Sequence, residues 1–201
     1  MRAVVGLGNP GEEYAGTRHN VGFLVVEELA RRWGVEFGRP RRGSRIARAH
    51  FRGEAVNLIE PLTYMNCSGD ALGRLDADLR PGAADIVVVH DDLDLPCGRV
   101  AIKKGGGTGG HRGIASLVAW AGGDFVRVRI GVGRPPVGQD AAAFVLRNFR
   151  KDERPVLEQA VQRAADAAEA VLTDGVERAM NTFNTRPAAD AGTAETAEER
   201  R

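Results

Sequence analysis

The sequence predicts an α/β protein: a single-domain, three-layer fold in which a mixed, mostly parallel twisted sheet is flanked by helices. Three observations carry this. Short apolar runs alternate with segments of helical periodicity, as βαβ units require. One of those runs, Ile86-Val87-Val88-Val89, is continuously apolar, the mark of a strand covered on both faces. Two strand-like runs flanking Gly53 are separated too briefly for a crossover, so they pair as a hairpin and make the sheet mixed.

In chain order, a buried strand at residues 2–5 opens into Gly6-Leu7-Gly8-Asn9-Pro10-Gly11, where glycine lets the backbone turn tightly by accepting positive φ. Val21, Leu24, Val25, Leu29 and Trp33 recur at helical spacing and predict a helix over 20–33. Residues 34–44 are rich in Gly and Arg and read as exposed and mobile. Strands follow at 46–51 and 55–59, then a helix capped by Asn66 or Ser68 and running to about residue 79. The strand at 86–89 delivers His90-Asp91-Asp92 at its carboxyl end, and 99–104 is a further strand. Five glycines in the six residues 105–110 suit a gate or a close backbone contact to a ligand. A helix at 114–120, a strand at 126–132 and helices at 140–148 and 152–173 close the domain, with a further turn to about 184. The domain ends near residue 186. From 187 to 201 the chain has no large apolar residue and reads as a disordered tail.

Composition bounds the function. The formal net charge is +1, so no global basic field advertises nucleic acid, and an RNA partner needs locally clustered cations. Cys67 and Cys97 lie in no zinc spacing and suit a reducing compartment. No signal peptide or membrane-length apolar run is apparent. The expectation is a cytoplasmic protein with no membrane association, no obligate protein partner and a monomeric state.

Gly6-x-Gly8-x-x-Gly11 matches the dinucleotide fingerprint in letters only. Glu12-Glu13 would set carboxylates against the phosphates, and helical periodicity begins too late for the last glycine to lie in a helix's first turn. No nucleotide cofactor is expected. The informative pair is His19, just before a helix, and Asp91, just after an apolar strand. Both should project from the carboxyl edge of one parallel sheet, where open α/β folds place their ligands. A carboxylate on one imidazole nitrogen fixes the tautomer and makes the other nitrogen a better base. No serine or cysteine stands in an elbow-like setting, so the nucleophile is a water. His90-Asp91-Asp92-Leu93-Asp94 also contains metal-ligand types. Alternate residues of an extended chain point to opposite faces, and no metal is expected. Asn9 and Asn66 can donate hydrogen bonds to a carbonyl or its oxyanion. Tyr64-Met65 supplies apolar and stacking surface or core packing. Lys103-Lys104, with Arg127 and Arg129 on a following strand, can contact phosphates.

These segments resemble bacterial peptidyl-tRNA hydrolases through residue 184. The resemblance rests on the ordered blocks VGLGNPGEEYAGTRHNVGF, PLTYMNCSG, VVVHDDLDLPCG, GGGTGGHRGI, RVRIGVGRP and TDGVERAMN. It implies cleavage of the ester joining a peptide to the terminal ribose of tRNA, which recycles tRNA from aborted translation without metal or cofactor. By resemblance, His19 matches the general base, Asp91 the carboxylate that keeps it basic, and Asn9 the residue that distinguishes N-blocked substrates. Tyr14, Tyr64 and Asn66 match contacts to tRNA or peptide, with Met65 beside them a further candidate, and Lys103 and Arg129 match phosphate clamps. The partner implied is peptidyl-tRNA, held at its acceptor stem and CCA end. Where the family has Asn in GGHRG, this chain has Arg112; guanidinium donates but cannot accept, so Arg112 does not inherit the amide's role and can take a phosphate or ester oxygen instead. The alternative is an RNA-binding module on the same fold without turnover.

Overall fold

The structure, a computed structural model, describes residues 2–185; the tail expected at 187–201 lies outside them. Six strands form one sheet: β1 (Arg2–Gly6), β2 (Ser44–Phe51), β3 (Glu54–Pro61), β4 (Ile86–Asp92), β5 (Val100–Lys104) and β6 (Val126–Gly131). Their order is β2-β3-β1-β4-β6-β5. β1, β3, β4 and β6 run parallel, while β2 pairs antiparallel with β3 and β5 antiparallel with β6. The mixed, mostly parallel sheet is therefore present, with the antiparallel strands as its two edges.

Among the described residues there are six α-helices: α1 (Val21–Trp33), α2 (Ser68–Gly73), α3 (Arg112–Ala121), α4 (Ala141–Val145), α5 (Arg154–Asp174) and α6 (Val176–Asn184). One face buries Val4, Val87, Val89, Val128 and Ile130 under α1, α5 and α6. The other buries Val5, Ile86, Val88 and Phe125 under α2 and α3, with Ile114 and Leu117 contributed by α3. Two apolar clusters on opposite faces are what alternation along a doubly covered strand produces.

Four expectations need correction. Gly6 and Gly8 have no positive φ; of the opening glycines only Gly11 does, at 114°. They are required by close approach instead. A Cβ on Gly6 would lie 2.3 Å from the Gly22 carbonyl oxygen, and one on Gly8 2.8 Å from the Phe23 ring. The helix expected to run to residue 79 ends at Gly73, which sits against the Trp120 indole. Neither Asn66 nor Ser68 caps it; Ser68 is its first residue and its hydroxyl donates back to the Met65 carbonyl at 2.9 Å. The Gly/Arg segment is exposed but hydrogen-bonded: Gly38 N–H donates to Ile46, and Arg41 and Ser44 exchange both backbone bonds.

Candidate active site

β1 and β4 are neighbours in the sheet, so the turn after β1 and the last residues of β4 meet at one edge. A short 3-10 turn, Arg18–Asn20, buries all three of its side chains and leads into α1. Gly22 permits this: a Cβ there would fall 2.4–2.5 Å from backbone atoms of Leu7 and Val89. The turn is locked by Asn20, whose amide oxygen accepts from Asn9 N–H and whose NH2 donates to the Asn9 carbonyl, both at 2.9 Å.

His19 Nδ1 lies 2.8 and 3.0 Å from the two oxygens of Asp91. The carboxylate is fully buried, and burial alone would raise its pKa. His111 and His19 outweigh that and hold it well below the carboxylate range. An ionised Asp91 only accepts, so Nδ1 of His19 carries a proton and Nε2 is left with the lone pair.

Sequence reasoning missed His111. Its Nε2 lies 2.9 Å from Asp91 Oδ1, while its Nδ1 caps α3 by accepting from Gly113 N–H and Ile114 N–H at 3.1 and 3.2 Å. Two amide donors require an unprotonated Nδ1, so the proton sits on Nε2 and is donated to Asp91. The signal available was position: an imidazole between a glycine run and a helix start. His90 is also buried beside His111, with ring centroids 4.8 Å apart. Its Nδ1 donates to the Asp91 carbonyl at 2.7 Å, and burial pushes its pKa down to about 3. His19, Asp91 and His111 present ligand-type atoms within 4.8 Å of one another. Those atoms are spent on each other, and both His111 nitrogens are engaged, so a metal would have to break these bonds.

The pair opens on a cleft of about 570 Å³. Asn9, Tyr14, Tyr64, Met65, Asn66 and Arg112 all line it with His19 and Asp91. Asn9 is buried, and its amide oxygen accepts from Met65 N–H at 2.8 Å. That bond fixes the amide's orientation and leaves its NH2 as the available donor. Met65 is itself buried in the core beneath α3, whereas Tyr64 is 63% exposed. Asn66 and Arg112 are exposed at the cleft.

Two walls close the cleft. Thr108, Gly109 and Gly110 form one; Gly105, Gly106, Gly109 and Gly110 all adopt positive φ, which glycine alone accepts readily. Residues of α4 and its flanks form the other. Arg18 ties that wall to the His19 turn, bonding the carbonyls of Arg147 and Asn148 and the Glu153 carboxylate, with its guanidinium 4.4 Å from the Phe144 ring centroid.

Lys103 and Arg129 lie outside the cleft lining. The register β5·β6 puts both on the face that carries His90, and Arg129 Nε donates to Asp92 at 2.7 Å. Arg127 is corrected: it is buried, and its guanidinium donates to the carbonyls of Gly106 and Gly107 at 2.7 and 2.5 Å. It staples the glycine loop and is not free to meet a phosphate.

A family model described as Peptidyl-tRNA hydrolase matches residues 3–191. The chain belongs to the peptidyl-tRNA hydrolase family. It is 49% identical to a peptidyl-tRNA hydrolase of Rubrobacter xylanophilus over 182 residues, 90% of this chain and 99% of that one. It is equally identical to a Mycobacterium tuberculosis peptidyl-tRNA hydrolase over 180 residues, covering 89% and 94%. Among solved structures, peptidyl-tRNA hydrolase from Acinetobacter baumannii superposes with a TM-score of 0.85 at 35% identity, over 92% of this chain and 95% of that one. Among the described residues no helix is long and apolar enough to cross a membrane.

Proposed function

We propose that the chain hydrolyses the ester between a peptide and the terminal ribose of tRNA, with His19 as general base. The observation that carries this is the buried His19–Asp91 pair opening on a cleft that the Asn9 amide, its oxygen held by Met65 N–H, also lines. A water over the cleft gives a proton to His19 Nε2 as its oxygen bonds to the ester carbonyl carbon. Asp91 stabilises the imidazolium, and the carbonyl electron pair moves to oxygen. The Asn9 NH2 donates to that oxyanion; one such donor is worth about 3–4 kcal/mol. Collapse expels the ribose oxygen, which takes the proton back from His19, leaving free tRNA and a peptide carboxylic acid that loses its proton to solvent. General-base assistance supplies about 10²–10⁴ in rate, and positioning in the cleft adds to it.

Tyr14, Tyr64 and Met65 offer the peptide and terminal base apolar surface, Asn66 a second amide, and Arg112 a donor for a phosphate or ester oxygen. Lys103 and the outer nitrogens of Arg129 meet backbone phosphates, so affinity falls as salt rises. The deciding experiment follows an N-acetylated aminoacyl-tRNA beside its unblocked counterpart. The parent cleaves the blocked substrate, and His19→Ala does not while remaining folded. Parent-like turnover by that variant would remove the mechanism; tight tRNA binding without cleavage by the parent would favour an RNA-binding module.

A further inference from the structure

The reaction at His19 makes no use of a concentration of charge between α1 and β3. From Gly38 to Gly53 the sequence holds six arginines and no carboxylate, in a chain of net charge +1. Arg45 is occupied: its guanidinium lies on the buried Glu60. The others are exposed.

Their presentation is built into the backbone. Arg41 and Ser44 exchange backbone hydrogen bonds at 2.9 and 3.0 Å, and between them Arg42 and Gly43 have φ of 52° and 81°, the pair of positive values of a type I′ turn. Asn or Gly adopts the first position with least strain; arginine stands there instead. The turn is stitched to the cleft wall. The Gly43 carbonyl accepts from Leu62 N–H at 2.7 Å, and a Cβ on Gly43 would lie 3.5 Å from the methyl of Thr63, one residue before Tyr64. Arg41 and Arg42 share a single carboxylate, Asp76, at 3.0 and 2.9 Å, so that trio keeps a net positive charge. Arg39 has no ion pair among the described residues. Charge on an edge strand ordinarily prevents edge-to-edge pairing, and Arg48 on β2 serves that end. The cations of residues 39–42 lie beyond the strand, at the cleft end of the sheet.

We propose that the turn Arg39–Arg42 is a second RNA-binding surface, gripping phosphates of the tRNA body while the acylated end lies in the cleft; this rests on the function proposed above. Guanidinium forks match phosphate oxygens bidentately. The strand order puts β2 and β5 at opposite edges, five spacings or about 24 Å apart. The turn therefore meets a different stretch of RNA from Lys103 and Arg129.

The test is the triple variant Arg39→Gln, Arg41→Gln, Arg42→Gln, with a charge-retaining control carrying Lys at the same positions. Binding of deacylated tRNA is read by fluorescence anisotropy across a salt series. Cleavage of N-acetylated aminoacyl-tRNA is compared with that of an N-acetylated aminoacyl CCA trinucleotide. The Gln variant should bind tRNA about tenfold more weakly, with the slope of log K against log salt reduced by about two. Its KM for the full substrate should rise while the trinucleotide is cleaved as by the parent, and the Lys control should retain most of the affinity. Unchanged tRNA affinity and slope, an equal loss on the trinucleotide, or an equal loss in the Lys control would each overturn the proposal. A parent that binds tRNA but cleaves neither substrate would sink the hydrolytic reading instead, and the anisotropy data would still judge the surface.

Discussion

Replacing Asp91 by Asn removes the anion from the site without changing its shape, and the surrounding hydrogen bonds dictate how the amide must sit. His111 donates from Nε2, because its Nδ1 is held by the amides of Gly113 and Ile114. The new side chain must therefore place its oxygen where Oδ1 now lies, 2.9 Å from that donor. Its NH2 then falls at the Oδ2 position, 3.0 Å from His19 Nδ1. A donor there crowds the proton on Nδ1, which keeps as its acceptor only the neutral oxygen at Oδ1, 2.8 Å away and shared with His111. Charge is lost as well. An imidazolium and a carboxylate with centres about 4 Å apart interact by about 4 kcal/mol at an effective dielectric constant of 20. At 1.36 kcal/mol per decade this is about 10³ in rate, and the poorer hydrogen bond to Nδ1 adds to it. Asp91→Asn should thus lower kcat by about 10³ or more with little change in KM, because the lost interaction belongs to the transition state. Single-turnover release of the N-acetyl amino acid from tRNA, with circular dichroism as the control for folding, measures it. A folded variant within tenfold of the parent would refute the reasoning.

Three further outcomes are expected from the same geometry. Asn9→Asp keeps an oxygen for Met65 N–H but turns the remaining donor into an acceptor facing the oxyanion; kcat should fall by about 10² or more with tRNA affinity retained, and steady-state kinetics on the blocked substrate checks it. Gly22→Ala forces a methyl to within 2.4–2.5 Å of the Leu7 and Val89 backbone, and should cost about 3 kcal/mol or more, read as the urea midpoint. Burial outweighs the Arg45 guanidinium and pushes Glu60 up to about 7. A raised folded pKa means that its stability contribution is full below the unfolded value and is lost as pH rises toward 7. Glu60→Gln should then gain on the parent in thermal midpoint between pH 5 and 8, and a gap that narrows instead would contradict the assignment.

The parts of this site legible in the sequence were those set by strand ends. His19 follows β1 and its turn, Asp91 is the last residue but one of β4, and Asn9 sits in the glycine turn; a parallel sheet carries all three to one edge regardless of the details of packing. The parts that were not legible depend on partners far away in sequence. Arg18 and Arg127 look like ordinary surface cations until Phe144, Glu153 and the Gly106 and Gly107 carbonyls close around them. Likewise, periodicity cannot reveal that α2 stops where Gly73 meets Trp120. The glycines were correctly singled out, yet for the wrong reason at Gly6 and Gly8: what they spare is the helix–strand contact, which only tertiary structure exposes.

Three imidazoles crowd one carboxylate, and backbone groups settle which of them can act. The lone pair of His111 is consumed by the first amides of α3. That of His90, on Nε2, is buried without a hydrogen-bond partner among the described residues, and burial keeps the ring neutral. His19 is left: its Nδ1–H is taken by Asp91 and its ring lines the cleft. The anion's charge is thus stabilised by two donors, and in the mechanism proposed above the basicity it confers falls on Nε2 of His19, whose ring lines the cleft. Removing His111 would leave a buried charge short of a hydrogen bond and, through it, unsettle His19. The residue that sequence reasoning missed therefore governs the pair that it found.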